Sequence, residues 1–377
     1  MNSETHMSND VYTIKYPRRR LIRKSMTWLG KMLLSSLARV EIIGREKLPD
    51  SGPVILAGNH AAVLEAVMMA AYTPGLVEFL GNGDIPFDPN YAFITQAYDL
   101  IPINRGNLDQ KGLQMGLDVL AQNGILCIFP EGGIWDPAQM QAQIGVAWLS
   151  YRSEAPIIPV GFGGIRNGLQ KALALKRPKL IMHVGELIPP VTLPDNSLSM
   201  KANLESAAKL VLSKINSLVP QDDHQMIMHH VDDTFEIEIT LQYLDQLMPI
   251  PDAYSVPHGG AYARFLFNPT LMDVFVRNLH LPIKPIKEVY RQSDLAPVIT
   301  AWQSILTYLQ TNPGFFTYRF GMEEGLAVKL ALEELICLAQ WVSESHFVLT
   351  LQPIHRYHNV KTGAQVIERG GCFPKSM

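Results

Sequence analysis

Between Val40 and Pro220 the sequence repeats one alternation, a short apolar run followed by a longer stretch of helix-forming composition. The runs are Pro53–Ala57, Val77–Leu80, Ile101–Ile103, Ile125–Phe129, Ile157–Phe162 and Leu180–Val184. Runs this short, mostly apolar (Glu78 and His183 are the polar exceptions) and bounded by turn residues such as Gly, Pro and Asp, read as buried strands. The segments between them place helices near Leu64–Tyr72, Tyr91–Ala97, Leu108–Gln122, Ala138–Arg152 and Lys201–Leu218. Strands and helices in alternation predict an α/β fold, a mixed sheet flanked by helices.

A chain of 377 residues with 47% hydrophobic content can bury a sizeable core, either as one large domain or as two. Cys127, Cys337 and Cys372 are too scattered for a disulfide framework and form no C-x-x-C pair, which fits a reducing, cytoplasmic setting. A net charge of −3 argues against a general nucleic-acid binder. Serine hydrolase, nucleotide triphosphatase and metalloprotease readings lack their signatures, since there is no G-x-S-x-G elbow, P-loop or H-E-x-x-H.

The charge is unevenly placed. After a polar stretch over 1–10, the segment from Lys15 to Lys31 holds Arg18, Arg19, Arg20, Arg23 and Lys24 with no acidic residue. Ile22, Met26, Leu29, Leu33 and Leu37 recur at helical spacing, with Arg23, Lys24 and Lys31 on the other side. Residues 1–40 are therefore expected to form a basic amphipathic segment. Its charges interrupt any membrane-spanning run, and it lacks the small-residue cleavage site of a signal peptide. Two placements remain open, an anionic membrane surface or the protein's own core.

Four stretches carry candidate chemistry. His60 follows the run ending at Ala57, at the strand end where open α/β sheets place their sites. Glu65 lies five residues on, and can meet the imidazole only if His60 precedes the first turn of the next helix. There a carboxylate would orient the ring and stabilise the imidazolium, leaving His60 as a general base. In the second stretch, Ile101–Gly106, a short strand delivers Arg105 before a glycine and a helix start, placed for an anion or for a surface salt bridge. The third, Ile125–Gly133, is a buried strand ended by Pro130, with Glu131 on a glycine-flanked turn, available for substrate or for loop support. The fourth, Ala155–Phe162, is an apolar strand bearing Pro156 and Pro159.

In this order the four stretches resemble the glycerolipid acyltransferases of the PlsC type. That family has an N-H-x-x-x-x-D block, a block ending in arginine, an F-P-E-G block and a proline-bearing apolar strand. They appear here as Asn59-His60 with Glu65, Ile101–Gly106 with Arg105, Phe129–Gly132, and Ala155–Val160. The resemblance covers about Ile42 to Glu186. It implies transfer of an acyl group from a thioester, acyl-coenzyme A or acyl carrier protein, to a lipid hydroxyl such as that of a lysophospholipid or glycerol phosphate. It makes His60 the base and Glu65 its orienter, and assigns Asn59, Arg105, Glu131 and Gly132 to the substrate. It implies no metal and no cofactor beyond the thioester co-substrate, and membrane lipids as partners of a peripheral membrane protein.

The chain departs from the family at points that bear on chemistry. Glu65 replaces aspartate and lengthens the reach by one methylene. Gly133-Ile134-Trp135-Asp136 stands where a small hydroxyl residue and a basic one usually follow, and Gln143 where a basic residue commonly precedes the glycine. Each missing charge-assisted contact is worth roughly 1.5–3 kcal/mol, so the acceptor is expected to be something other than a phosphate monoester, a neutral or glycosylated lipid. These departures keep a second reading in view, a catalytically silent lipid or acyl-thioester binder. Lys171, Lys176, Arg177 and Lys179 form a basic run that either meets phosphate or is a solvated face.

Composition shifts near Val219–Asp223, giving expected domains of 41–220 and 221–377. His224, His229, His230, Asp232 and Asp233 read as a polar linker in preference to a metal site. Beyond them a long helix over Glu323–Val342 and strands at Phe347–Leu351 and Gly363–Ile367, around a turn near Asn359–Gly363, predict a smaller α+β region.

Overall fold

The structure is a computed structural model, and describes residues 12–60, 63–83, 89–104, 109–131, 142–165, 168–193, 197–221, 230–267, 278–281, 289–290, 292–313, 322–359 and 362–369. It divides into two compact units. One comprises Met1–Gly81, Ile94–Ile103 and Asp109–Ile227, the other Asn82–Phe93, Asn104–Leu108 and Met228–Met377.

The first unit opens with helix α1 (Arg20–Leu37) and is built on β1 (Arg39–Ile43), β2 (Val54–Gly58), β3 (Val77–Asn82), β4 (Ile101–Ile103), β5 (Ile125–Ile128), β6 (Ile157–Gly163) and β7 (Lys179–Val184). These form one sheet in the order β1-β7-β6-β2-β5-β3-β4. Strands β6, β2, β5 and β3 run parallel, whereas β7 is antiparallel to β6 and parallel to β1. The sheet is thus mixed, and the ends of β2 and β6 lie beside the starts of β7 and β1. Gly164, at φ 71, passes so close to β7 that a Cβ there would meet the Lys179 carbonyl oxygen at 2.0 Å. Pro159 is tolerated inside β6 because the β7 ladder begins only at Val160, opposite Val184.

Alternation along β2 splits the core into two layers. Val54 and Leu56 face the side where α1 and α2 (Leu64–Tyr72) pack with Met68, Met69 and Phe162. Ile55 and Ala57 face the other side, with Leu113 and Val119 of α4 (Gln110–Ala121), Leu149 of α5 (Gly145–Ser153) and Val211 of α7 (Met200–Leu218). Helix α6 (Gly168–Leu173) also belongs to this unit, as does the Ile94–Tyr98 part of α3 (Pro89–Tyr98). The expected strands and long helices are present, most with ends shifted by one or two residues; the helix expected over Ala138–Arg152 is seen as Gly145–Ser153, and 138–141 lie outside the described residues. Strand β1 and helix α6 were not expected. β1 is an edge strand with no buried residue, and α6 has six residues, so neither leaves a clear periodic trace.

Helix α1 is seated differently from its expected stripe. Arg23 is fully buried and its guanidinium grips Glu78 of β3, also fully buried, while Nε donates to the Tyr98 carbonyl at 2.8 Å. Arg18 joins the same carboxylate at 2.8 Å. Gly30 faces Val67 of α2, and Leu34 enters the core. A buried carboxylate without a cation is very costly, so Glu78 decides which face of α1 turns inward. Leu21, Ile22, Trp28, Leu29, Met32 and Leu33 are left exposed. Among the described residues no helix is long and apolar enough to cross a membrane.

The second unit is α+β. Its sheet joins β8 (His230–Tyr243), β9 (Gln246–Met248), β10 (Val289–Tyr290), β11 (Val348–Asn359) and β12 (Gln365–Arg369), with β11 antiparallel to β8, β10 and β12. Helices α8 (Gly259–Leu266), α9 (Gln292–Thr311) and α10 (Met322–Ser343) supply Tyr262, Trp302 and Leu335 to its core, with Trp302 Nε1 donating to Tyr262 Oη at 2.7 Å. His230, Asp232 and Asp233 belong to β8 and not to a linker, because their neighbours Val231 and Phe235 pair in register with β11. His224 and His229 lie outside the described residues.

Candidate active site

Strand β2 ends at Gly58, and the chain turns out of the sheet through Asn59 and His60 before α2 begins at Leu64. Gly58 is hemmed in by rings: a Cβ there would meet Phe162 at 3.0 Å and Phe129 at 3.4 Å. Asn59 fastens the turn to β6. Its Oδ1 accepts from the Phe162 N–H at 2.7 Å, and its Nδ2 donates to the Phe162 carbonyl at 3.3 Å. These two bonds satisfy main-chain groups at a strand end.

His60 is fixed at three points. Its backbone N–H donates to Glu131 Oε2 at 2.9 Å. Its ring stacks on Phe129, centroids 4.3 Å apart and planes 16° from parallel. Its Nδ1 is buried and faces Glu65 Oε1 at 3.9 Å, beyond a hydrogen bond but within range of a strong charge interaction. The side chain is 22% exposed while that of Glu65 is fully buried. With Nδ1 covered, the exposure falls on the rest of the ring, the edge that carries Nε2.

Glu131 follows Pro130 just beyond β5 and is 1% exposed. Burial, reinforced by the charge of Glu65 and opposed by the His60 N–H, raises its carboxyl from the ordinary 4.5 to about 7. Of the residues that the resemblance assigns to the substrate, Asn59 bonds the Phe162 main chain and Glu131 accepts the His60 N–H through Oε2. Arg105 and Gly132, the other two residues assigned to substrate, lie outside the described residues, as does Trp135. Gln143 is exposed and its N–H donates to the Pro130 carbonyl at 2.8 Å, at the base of the turn that bears Glu131.

One contributor escaped sequence reasoning. The apolar run reads Phe129 as part of the buried strand, but β5 ends at Ile128 and the ring turns to the imidazole. The signal was Pro130, which cannot continue a ladder and so frees the residue before it. Among the described residues no group of three or more His, Cys, Asp or Glu side chains is placed to hold a metal ion.

A partly exposed imidazole with a buried carboxylate behind one nitrogen can accept a proton at the other. A family model described as Acyltransferase matches residues 39–163. Among solved structures the chain is similar to the 1-acyl-sn-glycerophosphate (LPA) acyltransferase PlsC from Thermotoga maritima, at 15% identity and a TM-score of 0.39, covering 53% of this chain and 81% of that one.

Proposed function

From the premise that residues 39–163 belong to the acyltransferase family, we propose that the protein is a glycerolipid-type O-acyltransferase that moves a fatty acyl group from a thioester, acyl-coenzyme A or acyl carrier protein, to a lipid hydroxyl. The observation that carries this reading is His60, held by Glu131 and Phe129 with its Nδ1 turned to Glu65. Nε2 takes the acceptor's hydroxyl proton as the oxygen attacks the thioester carbonyl. The C–O bond forms, the C–S bond breaks, and the departing thiolate recovers the proton from the imidazolium. No acyl-enzyme intermediate is required. Orphan N–H groups in the first turn of α2 point to the same end of the sheet, where the tetrahedral oxyanion develops. Opposite charges about 4 Å apart attract by about 4 kcal/mol at an effective dielectric of roughly 20, so Glu65 stabilises the imidazolium without touching it.

The acceptor in this reading carries no phosphate monoester. Gln143 offers no cation beside the Glu131 turn, where the family commonly has a basic residue. The enzyme works at a membrane interface, because the outer face of α1 exposes Leu21, Ile22, Trp28, Leu29, Met32 and Leu33 beside exposed Arg20, Lys24 and Lys31.

The test is thiol release from long-chain acyl-coenzyme A and acyl carrier protein with phosphorylated, neutral and glycosylated lipid acceptors. His60→Ala should lose roughly 10²–10⁴-fold in kcat with the fold intact. The 3.9 Å gap to Glu65 favours one competing reading, a lipid or thioester binder that does not turn over. Saturable binding with no thiol release from either donor would establish that reading instead.

A further inference from the structure

The basic run over 171–179 forms a structured protrusion. Helix α6 ends at Leu173, and the chain turns back to β7 through N–H bonds from Ala174 to the Gln170 carbonyl, Leu175 to Ala172 and Lys176 to Lys171, each 2.9 Å. Its underside is anchored by Ala172 and Leu180 in the core, while its tip presents Leu173 at 65% and Leu175 at 73% exposure. Leu175 sits at φ 57 and Arg177 at φ 44, left-handed conformations that disfavour a side chain and that no burial of Leu175 offsets. Around these leucines stand Lys171, Lys176 and Arg177, all exposed and with no ion-pair partner among the described residues. Between Ile165 and Gly185 the sequence contains no acidic residue.

The position of this turn gives it meaning. β7 starts where β6 and β2 finish, so the turn stands at the end of the sheet that carries His60. It also borders the exit of α1, since the Arg39 N–H donates to the Pro178 carbonyl at 2.8 Å. We propose that the α6–β7 turn is a second membrane contact, with Leu173 and Leu175 entering the acyl region of an anionic bilayer while Lys171, Lys176 and Arg177 engage headgroup phosphates. Apolar tips ringed by uncompensated cations complement that surface in both chemistry and charge. The inference rests on the reading of the protein as a peripheral lipid enzyme. It adds an orientation: contact at both α1 and the turn faces the His60 end toward the lipid.

The experiment uses the full chain with Cys337→Ser and Cys372→Ser, Cys127 being fully buried. Leu175→Cys or, separately, Trp28→Cys then carries an environment-sensitive fluorophore. Vesicles of phosphatidylcholine with added phosphatidylglycerol should shift the emission of both probes to the blue, and phosphatidylcholine alone should shift the probe at 175 far less. Lys171→Gln, Lys176→Gln and Arg177→Gln together should weaken vesicle binding roughly a hundredfold without moving the unfolding midpoint. A shift at 28 with none at 175 overturns the turn's role and leaves α1 as the sole anchor. No shift at either position removes the peripheral reading as well. A shift at 175 produced by acyl carrier protein and not by vesicles makes the turn a carrier-docking surface and overturns the lipid assignment.

Discussion

The backbone N–H of His60 donates to Oε2 of Glu131 across 2.9 Å, so a carboxylate at the end of β5 holds in place the residue that leaves β2. Because the bond is made to the main chain, it fixes where the imidazole is presented without occupying either ring nitrogen.

That carboxyl should tie stability to pH. The folded state raises its pKa from 4.5 to about 7, chiefly through burial, so the folded chain binds the proton more tightly than the unfolded one. The resulting stabilisation is complete below about pH 4.5 and is lost as pH rises through about 7, a difference of roughly 3 kcal/mol. Glu131→Gln keeps a neutral acceptor for the His60 N–H and removes the titration. Urea unfolding between about pH 5 and 8 should show the wild type losing ground to this variant as pH rises. Parallel curves would mean that the carboxyl does not titrate in that window.

Glu65→Gln leaves side-chain volume nearly unchanged and deletes the charge 3.9 Å from Nδ1. If the carboxylate acts on the imidazolium through space, kcat should fall by roughly 10²–10³-fold while KM stays within a few-fold. Unaltered kcat would assign Glu65 a purely structural role.

Asn59→Ala should cost about 1–3 kcal/mol, because the Phe162 N–H and carbonyl both lose their side-chain partner at a strand end. Chemical denaturation measures this directly. A loss below a few tenths of a kcal/mol would show that water replaces the amide on both sides.

The Arg18–Arg23–Glu78 cluster makes an asymmetric prediction. Glu78→Gln leaves the fully buried Arg23 guanidinium without a carboxylate, while Arg18 keeps Asp99 at 3.0 Å, and should destabilise by about 3–5 kcal/mol. Arg23→Met leaves Arg18 on the carboxylate and should cost less. Equal losses in denaturant titrations would mean that Arg18 adds nothing to the pairing.

The sheet was legible in the sequence because parallel strands buried on both faces must be written as apolar runs, and Pro53–Ala57 and Ile157–Phe162 are such runs. Edge strand β1 was not, since an exposed strand needs no such composition. His60 and Glu65 could be paired from spacing and the break before the helix. The inward turn of Glu131 could not, because its partner is a main-chain N–H 71 residues away in sequence, and every residue type supplies one. The seat of α1 was hidden for a related reason. The segment is apolar on more than one side, and only the burial of Glu78 on a distant strand selects the face that carries Arg23.

That buried arginine makes the N-terminal helix an integral wall of the catalytic domain and not a tether. A protease or a regulator could not peel it off and leave a soluble, working enzyme behind, for Glu78 would then sit in the interior without its principal counter-charge. On the proposed peripheral reading, attachment to and departure from a lipid surface are then properties of the folded domain as a whole, governed by the bilayer's charge and packing.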